Sequence, residues 1–307
     1  MTTAYLFPGQ GSQTVGMGAA LVAVSPAARR TFEESDDVLG FPLSRLCWNG
    51  PEDELTSTAN AQPALLTSSI AAWRAGVEDG IWTIPPAGPA YVAGHSLGEY
   101  SALVVAGSLR FVDALLLVRR RGELMHECGM LTPSTMAAVL GLDESVVVAI
   151  CAETGAEIAN VNAPGQVGIS GPRAEVERAA ALARERGARR VLPLNVSAAF
   201  HSSVMRPAAE GLERAIEAVE IGDARVPLVT NVDALPIVEA GAIRRELIDQ
   251  LTRPVRWQSI VSMLAEAGVT AAFELGPGNV LCGMVKRTAP EVAAENPVEA
   301  VLGRGKS

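Results

Sequence analysis

Tyr91-Val92-Ala93-Gly94-His95-Ser96-Leu97-Gly98-Glu99-Tyr100 is the stretch whose reading decides the fold. It begins as a short β-prone apolar run, passes through a serine flanked by Gly94 and Gly98, and continues into a helical run from Glu99 to Ala106. A tight strand-to-helix turn of this G-x-S-x-G kind needs small residues where strand and helix cross. It also lifts the serine Oγ above the sheet at a helix N-terminus. Ser96 is therefore the candidate nucleophile. Glycine-flanked serines are common in plain turns, so the flanking strand and helix give the pentapeptide its meaning.

Outward from this turn, short apolar or β-branched runs alternate with longer alanine-rich helical patterns, which predicts an α/β protein with a largely parallel sheet. Ala4 to Phe7 reads as a first strand with Pro8 to Gln13 as the loop after it. Leu228 to Asn231 and Ala272 to Leu275 read as later strands, and Ala242 to Leu251 as a helix. Around Ile84 to Pro89 the prolines exclude a helix.

The segment from Met136 to Val196 follows its own order. It reads as a strand (Met136 to Leu140), a helix (Asp143 as N-cap, to Thr154, closed by Gly155) and two strands (Ile158 to Val161, Val167 to Ser170). A helix (Arg173 to Arg186) and a last strand (Val191 to Val196) complete it. This β-α-β-β-α-β order is the ferredoxin-like split motif. The expected fold is thus α/β, an α/β-hydrolase-like large subdomain with a parallel sheet plus an inserted ferredoxin-like small subdomain. The expected division is residues 1–128 and 198–307 for the large unit and 129–197 for the small one.

Composition bounds the function. Of 307 residues, 49% are hydrophobic and 19% charged, enough apolar surface for a sizeable core. Acidic residues outnumber basic ones by 34 to 25, a net charge of −9, which disfavours nucleic acid and anionic membranes as partners. The N-terminal residues lack the basic start and apolar run of a signal peptide, and Arg110 and Asp113 interrupt the most apolar stretch, Ser101 to Val118. Cys47, Cys128, Cys151 and Cys282 have no C-x-x-C spacing, so buried reduced thiols, no metal and a cytoplasmic location are expected. The first loop lacks the third glycine of a dinucleotide fingerprint, because position 14 is Thr14. The tail Gly303 to Ser307 fails as a phosphate loop, because the upstream glycine is replaced by Ala300.

A serine needs a general base, and the chain offers three histidines. His95 adjoins Ser96 and is expected to pack beneath the turn. His126 lies in the helical run Ala114 to Cys128, where a partly exposed position is the plain reading. His201 follows the serine in chain order after the strand leaving the inserted unit, and is assigned as the base. For the developing oxyanion, the backbone N–H of Leu97 and the loop around Gln10 are the candidate donors.

Phe7-Pro8-Gly9-Gln10-Gly11-Ser12-Gln13, Gln62-Pro63-Ala64-Leu65, Gly94 to Tyr100, Arg121-Gly122, Asn160-Val161-Asn162, Phe200-His201-Ser202 and Gly276-Pro277-Gly278 occur in this order along nearly the whole chain. Together they resemble malonyl-CoA:acyl-carrier-protein transacylases and the acyltransferases of polyketide synthases, including free-standing ones that act in trans. The resemblance implies a ping-pong transfer in which Ser96, activated by His201, takes malonyl from malonyl-CoA. The phosphopantetheine thiol of an acyl carrier protein then accepts it, for fatty acid or polyketide synthesis and with no permanently bound cofactor.

The resemblance also implies residue roles. Gln250 would orient His201 through its main-chain carbonyl, and Gln10 with the N–H of Leu97 would form the oxyanion hole. Arg121, 25 residues beyond the serine, would bind the malonyl carboxylate, a task suited to a planar guanidinium that stays charged. Read alone, Arg119-Arg120-Arg121 is a solvated charge cluster at a helix end. Phe200 matches the malonyl-type pattern and would leave little room for an α-substituent, whereas Pro133-Ser134-Thr135 departs from the glycine or small residue common there. Arg189-Arg190, Arg206, Arg253, Arg256 and Lys286-Arg287 are candidate contacts for an acidic carrier protein. Rival readings are transfer of another acyl unit or between carriers, a proofreading serine thioesterase or hydrolase, and a silent scaffold.

Overall fold

The computed structural model describes residues 2–82 and 88–298. The N-terminal part contains β1 (Thr3–Phe7), α1 (Ala19–Val24), α2 (Pro26–Leu39), α3 (Leu43–Asn49), α4 (Glu52–Thr56) and α5 (Thr58–Glu78). The elbow region follows with β2 (Tyr91–Gly94), α6 (Gly98–Val105) and α7 (Phe111–Leu131). Next come β3 (Ser134–Leu140), α8 (Glu144–Thr154), β4 (Glu157–Ala163), β5 (Gln166–Pro172), α9 (Arg173–Glu185) and β6 (Arg190–Pro193). The chain then returns through α10 (Arg206–Glu217), β7 (Leu228–Val229), β8 (Pro236–Ile237) and α11 (Ala240–Asp249). It finishes with α12 (Trp257–Glu266), β9 (Ala271–Glu274), α13 (Val280–Thr288) and β10 (Ala293–Glu295).

The large sheet has the order β10-β9-β1-β2-β7-β8, parallel throughout except for the β7–β8 pair. Strand β1 shows why both faces are covered. Tyr5 and Phe7 project into one apolar cluster with side chains of α5, α6 and α7, while Ala4 and Leu6 project into another with α12 and α13. Side chains alternate across a strand, so a continuous apolar run needs a helical layer on each side.

The small sheet is antiparallel with the order β4-β5-β3-β6, the ferredoxin-like arrangement. Ala137 and Val139 face the cluster built with α8 and α9, whereas Met136 points to the opposite face and joins the large core. Helix α8 begins after Asp143 and ends at Gly155 in a left-handed conformation, as read from the sequence. Val255, between α11 and α12, bonds to Ala159 and Val161 of β4, so the small sheet is tied by backbone to the large unit.

Several boundaries differ from expectation by a few residues. Helix α7 runs unbroken to Leu131, so residue 129 lies within its last turn. Strand β6 stops at Pro193, where a tight turn closed by Val196 N–H on the Leu194 carbonyl takes the chain out of the ladder. Strand β7 ends at Val229 because the next residues turn back, Ala234 N–H bonding the Thr230 carbonyl. The prolines Pro85 and Pro86 and the tail from Gly303 lie outside the described residues. All four cysteines are buried free thiols. No helix among the described residues is long and apolar enough to cross a membrane.

The crossing of β1, β2 and α6 leaves no room for side chains at the two elbow glycines. A Cβ on Gly94 would stand 1.9 Å from the Gly98 carbonyl carbon, and one on Gly98 would stand 2.1 Å from the Phe7 oxygen. Because these contacts are backbone, Gly98→Ala is expected to destabilise the protein by about 3 kcal/mol in urea unfolding. A loss below about 1 kcal/mol would show that strand and helix can separate without cost.

Candidate active site

Ser96 occupies the left-handed region at φ 52, a conformation that costs a non-glycine residue about 1–3 kcal/mol. Neighbouring side chains hold it there. Asn231 Oδ1 accepts the Ser96 N–H at 2.7 Å while Asn231 Nδ2 donates to the Gly94 carbonyl at 2.7 Å. Gln250 Nε2 donates to the Ser96 carbonyl at 3.0 Å. The turn is thereby bracketed on both sides, and its hydroxyl lies open to a cleft.

His201 Nε2 lies 2.8 Å from Ser96 Oγ, and His201 Nδ1 lies 2.8 Å from the main-chain oxygen of Gln250. A carbonyl only accepts, so Nδ1 carries the proton and the Nε2 lone pair faces the serine. The ring is buried. Burial, reinforced by the positive charge of Arg121, pushes the imidazole down to about 3. The loop carrying it is anchored by Ser170 Oγ donating to the Phe200 carbonyl and by Ser134 Oγ accepting the Ala199 N–H. Ser134, the departure noted in the sequence, thus braces this loop from β3.

The other histidines take different places. His95 does not pack beneath the turn. It lines the cleft, its Nε2 is 2.8 Å from Asn162 Oδ1 of the small unit, and its ring lies 5.6 Å from that of Trp257. His126 is exposed on α7.

Helical periodicity separates the three arginines. Arg121 shares the buried stripe of α7 with Leu117, Val118 and Met125, and is itself 1% exposed. Arg119 and Arg120 pair with Glu123 near the surface. The Arg121 guanidinium donates to Ser96 Oγ at 2.9 Å, Gln250 Oε1 at 2.8 Å and Gln62 Oε1 at 2.9 Å. Its Nε has no partner, and among the described residues no carboxylate oxygen bonds to it. Burial lowers its pKa from the ordinary guanidinium value, yet an arginine stays charged in a protein. It is an enclosed cation held by neutral oxygens.

The cleft has a volume of about 270 Å³. Beyond Ser96, His201 and Arg121, its walls include Gln10 from the first loop, Met125 from α7, Met136 and Asn160 from the small sheet, and Phe200. Phe200, 6% exposed, belongs to the large apolar core and lines the cleft. The Gln10 side chain is already engaged, donating to Thr58 Oγ1 at 3.3 Å, so its backbone N–H is the group left to serve an oxyanion. The Leu97 N–H stands at the start of α6, where a helix has no internal acceptor for it. The cleft can therefore hold an acyl chain with an anionic end beside an activated serine.

A profile of the acyl transferase domain matches residues 4–307. The chain belongs to the acyl transferase domain family. A malonyl CoA-acyl carrier protein transacylase of Bacillus subtilis is 48% identical over 289 residues, covering 92% of this chain and 89% of that protein. One of Escherichia coli K12 is 43% identical over 295 residues, covering 95% and 94%. A solved malonyl-transacylase in complex with its type II polyketide synthase acyl-carrier protein superposes with a TM-score of 0.93 at 41% identity, covering 99% of this chain and 100% of that one.

Within this acyltransferase, Ser96, His201, Arg121, Gln10 and Phe200 line one cleft, and Gln250, fully buried, bonds to Arg121 and His201. Sequence reasoning gave no role to Gln62, Asn231, Glu99 or Glu246. Gln62 and Glu99 stand in the quoted motifs, and the polar Asn231 ending an apolar strand was the available signal for the third.

With His201 neutral well below the usual imidazole range, kcat/KM for serine acylation is expected to stay flat from about pH 8 to about pH 5. Initial-rate measurements that halve near pH 6.5 would contradict this burial. Stability, unlike the rate, falls over this range, because the unfolded chain protonates this imidazole first. Its contribution to stability is present above the unfolded value and is lost as the pH falls below it.

Proposed function

We propose that this acyltransferase moves malonyl groups from malonyl-CoA to the phosphopantetheine thiol of an acyl carrier protein, with Ser96 as nucleophile and His201 as base. The observation that carries this reading is the enclosed Arg121 guanidinium, 2.9 Å from the serine and without a carboxylate of its own. A buried charge left in this state is costly, and an acyl group ending in a carboxylate offers two parallel charge-assisted bonds.

Ser96 gives its proton to His201 Nε2 as its oxygen attacks the thioester carbonyl. The N–H groups of Leu97 and Gln10 receive the oxyanion. Collapse breaks the C–S bond, and His201 returns the proton to the CoA thiolate. The carrier thiol then gives a proton to His201, attacks the seryl ester and releases Ser96 reprotonated. The Gln250 carbonyl keeps the imidazole in the tautomer that both halves need. When the acyl carboxylate binds, it draws the guanidinium away from Ser96 Oγ and frees the oxygen lone pair that Arg121 occupies.

The reading requires no resident cofactor, because the donor brings CoA and the acceptor brings phosphopantetheine. The same chemistry serves fatty acid and polyketide synthesis. Similarity to a transacylase bound to its carrier supports an acyl carrier protein as partner, and buried reduced thiols support a cytoplasmic setting. The basic candidates named from sequence are exposed, and Arg253 is already paired with Asp233.

Acyl loading followed by intact mass tests the proposal. Wild-type protein should gain one malonyl group, Ser96→Ala none, and His201→Ala should load about 10²–10⁴-fold more slowly. Arg121→Ala should lose malonyl loading by at least about 100-fold while keeping residual acetyl loading. Equal malonyl loading in that variant would remove the arginine from its role. Methylmalonyl-CoA should load at least about tenfold more slowly than malonyl-CoA because of Phe200, and Phe200→Ser should narrow that gap. Equal loading of both by the wild type would refute the steric reading.

A further inference from the structure

Behind the cleft lies a second polar cluster that the transfer chemistry does not use. Glu99, second residue of α6, is fully buried, and Glu246 of α11 is 7% exposed. Glu99 Oε1 accepts the Asn231 N–H at 2.7 Å, and Glu246 Oε1 accepts the Val232 N–H at 3.0 Å. Those two N–H groups are adjacent in the chain, so they hold the two carboxyl groups as neighbours. Two neighbouring dehydrated carboxylates resist ionising together. Burial is the main cause that raises both groups, and the charge of Glu246 adds to it at Glu99.

The remaining oxygen, Glu99 Oε2, accepts from Gln250 Nε2. The Gln250 amide has two faces. Its NH₂ meets two acceptors, Glu99 and the Ser96 carbonyl, and its oxygen meets a donor, Arg121 Nη2 at 2.8 Å. A flipped amide would set NH₂ against a guanidinium and oxygen against a carboxyl group.

We propose that Glu99 is a positioning residue for acyl selectivity, holding the Gln250 amide in the one orientation that aims the Arg121 guanidinium at the carboxylate of the acyl group. This rests on the reading of Arg121 as the carboxylate clamp. Glu99 touches no substrate. It acts through Gln250, and Glu246 supports it from behind. Glutamine at position 99 would reverse the logic, because its oxygen can take the Asn231 N–H while its NH₂ faces Gln250 and favours the flip. Glutamine at position 246 would leave Glu99 as the carboxylate and give it a donor.

The test compares single-turnover loading of Ser96 by malonyl-CoA and by acetyl-CoA in wild type, Arg121→Ala, Glu99→Gln and Glu246→Gln, with thermal unfolding of each. Glu99→Gln is expected to lower malonyl loading at least about tenfold and acetyl loading less than about threefold, the effect of losing one directed hydrogen bond to a charged network. Glu246→Gln should keep the malonyl-to-acetyl ratio within about threefold of wild type, because a carboxylate still faces Gln250. Equal loss with both thioesters in Glu99→Gln, an unchanged ratio, or a collapse in Glu246→Gln as large as in Glu99→Gln would overturn the proposal. If Glu99→Gln does not fold, Glu99→Asp, which keeps the charge but falls short of Gln250, should show the same collapse, and a preserved ratio there would overturn it. An unchanged ratio in Arg121→Ala instead refutes the clamp, which separates that failure from this one.

Discussion

An arginine enclosed without a carboxylate organises this molecule. Dehydrating a guanidinium costs several kcal/mol unless its N–H groups are met by oxygens. Arg121 meets that requirement with Gln62 from α5, Gln250 from the end of α11 and Ser96 from the elbow. Three distant parts of the chain must therefore converge for the charge to be tolerated. Among the described residues no carboxylate meets this guanidinium, and that is the ground on which an anionic acyl end is proposed to bind there. The surrounding polar groups follow from this requirement. Gln62, Glu99, Asn231 and Gln250 are all fully buried, in a region that packing alone would fill with apolar side chains.

The inserted unit completes the enclosure. Its four-stranded sheet is tied to the large unit by the backbone pairing of Val255 with β4, and Met136 and Asn160 reach the cleft from its inner side. That wall is held to the large unit by main-chain bonds. Limiting water at a seryl ester favours capture by a thiol over hydrolysis. The strained conformations of Ser96 and His201, both at positive φ, fit the same picture, since surrounding hydrogen bonds hold each at a cost recovered by the site as a whole.

Much of this was legible in the sequence because it depends on local chemistry. The Gly94-His95-Ser96-Leu97-Gly98 turn, the β-α-β-β-α-β order and the helix ended by Gly155 are written in residue type and spacing. The early ends of β6 and β7 were not legible, because Asn195 to Val196 and Thr230 to Asn231 look like strand continuations yet turn out of their ladders, Leu194 making the last bond to Met136 of β3. His95 was read as packing under the turn, and it reaches Asn162 instead because the small unit stands over the elbow. Whether Arg119, Arg120 or Arg121 turns inward depends on the phase of α7 against its neighbours.

By itself the sequence pointed to Ser96 as candidate nucleophile, His201 as candidate base and the α/β elements of both sheets, since glycine-bounded turns and apolar periodicity act over a few residues. Only the tertiary structure decided how Arg121 is held, which oxygens spare it a carboxylate, and why Gln250 faces one way. Those facts come from side chains far apart in the chain, Gln62, Glu99, Asn231 and Glu246, brought together in a water-poor interior where every donor must find an acceptor.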